Sequence, residues 1–90
     1  MLGGNLPVRG VHGEIRWSYF LAARVHGYAL TYANSQWRLV ATLVEPDAFK
    51  LAQRPLIFAA PTRRAVMRWP IVSYTRRGDS LTAELGTPIP

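Results

Sequence analysis

Between Gln36 and Glu45 every second residue is apolar: Trp37, Leu39, Ala41 and Leu43. A period of two gathers those side chains on one face only when the backbone is extended. The pattern recurs along the chain. Glu14–Leu21 alternates with Ile15, Trp17 and Tyr19 on one face, and Val25–Tyr32, Leu56–Ala60, Ala65–Thr75 and Ser80–Leu85 read as further strands. Gly, Pro, Asn and Ser interrupt the alternation at about every eight to twelve positions, as short antiparallel strands require.

Two stretches depart from this rhythm. Over 18–25 a helix competes, because Phe20, Leu21 and Arg24 fit helical spacing, Ala22-Ala23 form helices well and Gly27 could close one. The aromatic and β-branched content favours the strand. Pro46-Asp47 reads as the first turn of a short helix, since Pro suits the first helical position and an early carboxylate suits the positive helix end. Phe49 then packs inward with Ala52 or Gln53 beside it, and Pro55 ends the element.

The expected fold class is therefore all-β with one short helix: a small antiparallel barrel or twisted sheet of about five or six strands. A helix after the third strand suits an OB-like barrel, and an SH3-like barrel fits nearly as well. Ninety residues make one domain. Residues 1–13, rich in Gly, read as a flexible N-terminal arm, 14–86 as the β domain, and 87–90 as a tail. There is no cysteine, hence no disulfide framework and no thiolate. The start of the chain has no apolar leader and Leu39–Val44 is too short to span a bilayer, so the expectation is a cytoplasmic protein without a membrane partner.

Charge is distributed unevenly. The formal charge is +6, from eleven cations and five anions. From Ala48 to Gly78 lie Lys50, Arg54, Arg63, Arg64, Arg68, Arg76 and Arg77 with no Asp or Glu among them. Such a field attracts nucleic acid or an acidic protein, whereas Arg stems merely packed on the surface would give the same count without function. Arg63-Arg64 and Arg76-Arg77 fall in predicted turns at the two ends of one strand. At roughly 3.3 Å per residue they are about 30 Å apart, which suits a stripe better than one compact phosphate site.

The Tyr32–Gln36 turn decides what the second and third strands present. With Asn34-Ser35 as a two-residue loop, Tyr32 opposes Trp37, Leu30 opposes Leu39 and Tyr28 opposes Ala41, and the apolar residues share a buried face. With a three-residue loop, Tyr28 and Tyr32 join Arg38 on the solvent face as a platform on which bases could stack. Hydrophobic burial favours the first. In the last hairpin Val72 and Tyr74 fall on the side of Leu81, Ala83 and Leu85. Trp69-Pro70-Ile71 reads as a bend, with a β-bulge at Pro70 returning Met67 and Trp69 to the core. The alternative presents Trp69 to a partner as an interface anchor.

Catalytic patterns are weak. His12 and His26 have no carboxylate or His at metal-ligand spacing, and His26 reads as a half-buried strand residue. Glu45 and Asp47 are explained by the helix start. Ser18, Ser35, Ser73 and Ser80 lack nucleophile-elbow glycines. Arg77-Gly78-Asp79 is a hairpin turn. No catalytic residue, metal site or cofactor is expected. The reading is a non-enzymatic, basic binding module in which Arg63, Arg64 and Arg68 meet phosphates and Arg38, Tyr28 and Tyr32 offer a stacking surface. The second reading is a self-assembling or protein-interaction domain, with Trp69 and the Lys-free strand Ser80–Leu85 as the contact of a homodimer. A barrel enclosing a small ligand is disfavoured, because ten aromatics fill so small an interior.

Overall fold

A computed structural model of the chain describes residues 8–17, 20–52, 54–62 and 65–89. The elements are β1 (Val8–Gly10), β2 (Gly13–Trp17), β3 (Phe20–Ala33), β4 (Gln36–Leu43), α1 (Pro46–Lys50), β5 (Leu56–Pro61), β6 (Val66–Arg77) and β7 (Ser80–Leu85). Strands β2, β3 and β4 form one antiparallel meander and β5, β6 and β7 another. The first strands of the two meanders pair with each other, β2 with β5, and so do the third strands, β4 with β7. This closes an all-β antiparallel barrel of six strands, one more than an OB barrel has. β1 lies outside the ring along the far half of β3, with Arg9 opposite Ala29.

The extended reading of 18–25 holds for its described residues, since Phe20–Val25 belongs to β3. Ser18 and Tyr19 lie outside the described residues. The break between strands falls before Phe20 rather than before Val25. The hairpin after β3 takes the two-residue loop. Asn34 and Ser35 both have positive φ, 53° and 60°, the twist that a tight hairpin needs. Tyr32 opposes Trp37, Leu30 opposes Leu39 and Tyr28 opposes Ala41, the register that hydrophobic burial favours.

Three single-residue bulges set which side chains enter the barrel. Ala22 is the extra residue opposite β2, His26 the extra residue opposite β4, and Val72 the extra residue opposite β7. Each reverses the inward parity of its strand. The bulge at His26 moves the interior face of β3 from Ala23 and Val25 to Tyr28, Leu30 and Tyr32, and leaves His26 exposed rather than half-buried. The bulge at Val72, two positions beyond Pro70, keeps Trp69 and Ile71 inward. It brings Tyr74 in opposite Ala83 and leaves Val72 itself 61% exposed, against the expectation of a core-side residue.

Ile15, Leu30, Leu39, Leu43, Phe58 and Leu81 fill the barrel axis and are fully buried. α1 closes one end. Pro46 starts it, Asp47 pairs with Lys50 across its single turn, and Phe49 turns inward against the Tyr74 ring, 5.2 Å between centroids. The Arg54 guanidinium lies over the same tyrosine at 5.2 Å, and the Trp17 indole N–H donates to the Arg54 carbonyl at 3.0 Å. β7, expected as a free edge, is hydrogen-bonded on both sides. Closure removes the edges of β2 to β7 along their paired lengths, and among the described residues β1 pairs on one side alone, with β3. Beyond β7 the chain continues beside β6, where Arg68 and Ile89 exchange backbone hydrogen bonds at 2.9 and 2.7 Å.

Candidate functional site

The barrel register separates the residues that the sequence grouped as a stacking platform. Tyr28 and Tyr32 take interior-facing positions, Tyr28 edge-on to Phe58 and Tyr32 tilted against Trp37. Arg38 opposes Thr31 on the outer face and donates to Glu84 at 2.8 Å. Burial pushes the Tyr28 phenol above its ordinary pKa, and the Glu84 carboxylate holds the Arg38 guanidinium more firmly protonated. The three therefore make no common surface, because the pleat directs alternate residues to opposite faces.

Trp69 is 3% exposed and packs against Phe58 and Trp37 inside the barrel, so it is a core residue and not a surface anchor. Its place follows from the bulge lying beyond it at Val72. Arg63 and Arg64 lie outside the described residues. Arg68 is on the outer face of β6, exposed, with no ion pair or side-chain hydrogen bond among the described residues.

The carboxylates are largely spoken for. Glu14 pairs with Arg16, Glu45 with Arg24, Asp47 with Lys50 and Glu84 with Arg38. Arg24 and Arg38 find their acids across the barrel surface, on segments remote in sequence. Arg76 turns to the Gly78 carbonyl and Arg54 to Tyr74. Among the described residues Arg9, Arg68 and Arg77 are left without a partner, and Arg77 shares its turn with Asp79. Among the described residues the unpartnered positive charge thus stands exposed at Arg9, on β1, and at Arg68, on β6.

Around Arg68 the outer faces of β2, β5 and β6 form a hollow of about 680 Å³. The strand register lays it out in rows. Arg16, Ile57 and Pro70 are neighbours across the three strands, then Glu14, Ala59 and Arg68. Pro61 and Val66 form the end of the β5–β6 ladder, and His12 lines the hollow beside them. Alanine at the centre of this array is what makes the depression, since every outward neighbour is larger. Ala59 is only 7% exposed although it points away from the barrel axis. Sequence reasoning identified Arg68 but missed Ala59, Ile57 and Arg16, because they converge only through pairing between remote strands.

His12 and His26, fourteen positions apart, line a second shallow cleft together with Glu14 and Arg24. Among the described residues no three His, Asp or Glu side chains converge to hold a metal ion, and no helix is long and apolar enough to cross a membrane. Compared with protein-family models, with curated proteins and with solved structures, the chain shows no match.

Proposed function

We propose that this domain is a non-catalytic binding module for an anionic partner, a nucleic-acid backbone being the simplest that fits. The observation that carries the reading is the charge balance just described. Four of the five acids are each held by one neighbouring cation, and the cations outnumber the acids by six. Arg68 is one of the cations left exposed without an acid among the described residues, and in sequence Arg63 and Arg64 stand directly ahead of β6. Guanidinium groups suit phosphate through their forked donors. With Tyr28 and Tyr32 facing inward, the reading rests on phosphate contacts rather than on base stacking, so affinity should be nearly independent of sequence and steeply dependent on salt.

The test is fluorescence anisotropy of a labelled single-stranded oligonucleotide over a salt series. Replacing Arg63 and Arg64 together by Ala should lower the log-affinity against log-salt slope by up to about 1.4, and Arg68→Gln by about 0.7. Absence of any affinity at low ionic strength, where attraction is least screened, overturns the proposal.

A second reading, self-assembly, is favoured by one observation of its own. Phe20 is 66% and Leu51 83% exposed, and among the described residues β1 has one unpaired side. Here the contact would lie at those surfaces and not at Trp69 or β7. Sedimentation velocity at tens of micromolar decides it: a single species of about 10.1 kDa removes it.

A further inference from the structure

We infer that the hollow on the outer face of β2, β5 and β6 is a binding site for a small amphiphilic anion: an apolar body carrying one carboxylate, sulfonate or phosphate group. Three features of the site converge on that class. The volume, about 680 Å³, lies within the range of small-molecule sites, roughly 300–1,000 Å³. The floor is aliphatic, formed by Ile57, Ala59, Pro61 and Val66. Beside that floor the lining includes His12, Glu14 and Arg16, the last two paired with each other, so the floor itself suits an apolar body. The charge at the rim is one-sided. Glu14 is held by Arg16, which leaves the Arg68 guanidinium without an acid among the described residues.

The geometry also says how such a ligand lies. Ala59 sits between Glu14 on one neighbouring strand and Arg68 on the other. At about 4.8 Å between strands, the two walls stand about 10 Å apart. A flat body of one or two rings fills that width, rests on Ala59 and Ile57, and directs its anionic group to Arg68 and away from Glu14. A neutral molecule of the same shape would leave Arg68 unused and bind more weakly. This inference does not rest on nucleic-acid binding, although both readings use Arg68.

The experiment uses the full chain and two dyes, anilinonaphthalene sulfonate and its uncharged analogue phenylnaphthylamine, with fluorescence enhancement as the readout. The sulfonate should bind with one-to-one stoichiometry and at least about fivefold tighter than the neutral dye. Ala59→Leu places an outward side chain in the hollow and should weaken sulfonate binding by about tenfold or more, while the melting transition stays cooperative. Arg68→Gln should weaken the sulfonate about five- to tenfold and leave the neutral dye unchanged. Equal affinity for the two dyes, or a sulfonate signal that neither variant reduces, overturns the inference. Should Ala59→Leu fail to fold, the Arg68→Gln comparison between dyes decides alone. The same variants separate the two readings. Ala59→Leu should spare oligonucleotide binding, and a chain that binds the oligonucleotide but not the sulfonate keeps the earlier reading and loses this one.

Discussion

The rings of Trp37 and Trp69 meet edge to face inside the barrel, 5.6 Å between centroids and inclined by 61°. They come from strands that are not neighbours, β4 and β6, so their contact spans the interior. Phe58 lies on the other side of Trp69 at 6.0 Å. The Trp69 indole N–H is buried and meets no acceptor among the described residues. Trp69→Ala should therefore cost about 3–5 kcal/mol in urea unfolding, as large-to-small core changes do. Trp69→Phe should lose much less, because it keeps an aromatic ring and removes a donor whose burial without a partner itself costs about 1–3 kcal/mol. Equal losses in the two variants would show that a phenyl ring there recovers nothing and that the site needs the whole indole.

Gly13 opens β2 directly against Phe58. A Cβ built there would stand 2.8 Å from two atoms of the ring and 3.1 Å from Val25. Both neighbours are core side chains with little room to yield, so Gly13→Ala should destabilise by about 1–3 kcal/mol through overpacking. Gly27→Ala is the matched control, since only the Gly10 carbonyl oxygen comes near, at 3.8 Å. A thermal melt of the two variants should show the first well below wild type and the second close to it.

The hairpin between β3 and β4 carries Asn34 and Ser35 at positive φ. Asn tolerates that geometry and Ser does so less well. Ser35→Gly should stabilise the chain by up to about 1 kcal/mol, seen as a higher melting temperature, because Asn-Gly is the preferred pair for this turn. No gain would mean that the unfolded-state entropy of the added glycine offsets the relief.

Burial raises the Tyr28 phenol above its ordinary value of 10.0. The neutral form is thus favoured in the fold, and the sign follows. The associated stability is complete below the unfolded value and is lost as pH rises through the folded one. The difference between near-ultraviolet titrations of wild type and Tyr28→Phe isolates this one phenol, and its midpoint should lie above 10.0. A midpoint at or below that value would place the ring in water.

Much of this architecture is legible in the sequence, for a definite reason. The alternation in Gln36–Leu43 and Ser80–Leu85 survives unbroken in the structure, because those strands carry no bulge on their own backbone. Pro46-Asp47 and the Asn34-Ser35 turn are local signals, and local geometry realises them. The bulges at Ala22, His26 and Val72 are not legible, since an extra residue carries no composition of its own and appears only against a partner strand. Val72 was displaced from the core and Trp69 drawn into it by that effect alone. The hollow around Ala59 is hidden more deeply still. An alanine is unremarkable in sequence, and it becomes a floor only when Glu14 and Arg68 are brought to either side of it.

Both seams of the barrel, β2 against β5 and β4 against β7, join residues that the sequence holds half a chain apart: Glu14 with Ala59, Trp37 with Leu85. A polypeptide cut within α1 would give two halves, each a meander with both outer strands unpaired and its apolar face uncovered. Neither half can complete its hydrogen bonds alone, and the same two seams would make each the natural complement of the other. Among the described residues, strand pairing between the two meanders thus lies in those two seams alone, and the short α1 segment is the covalent link between them.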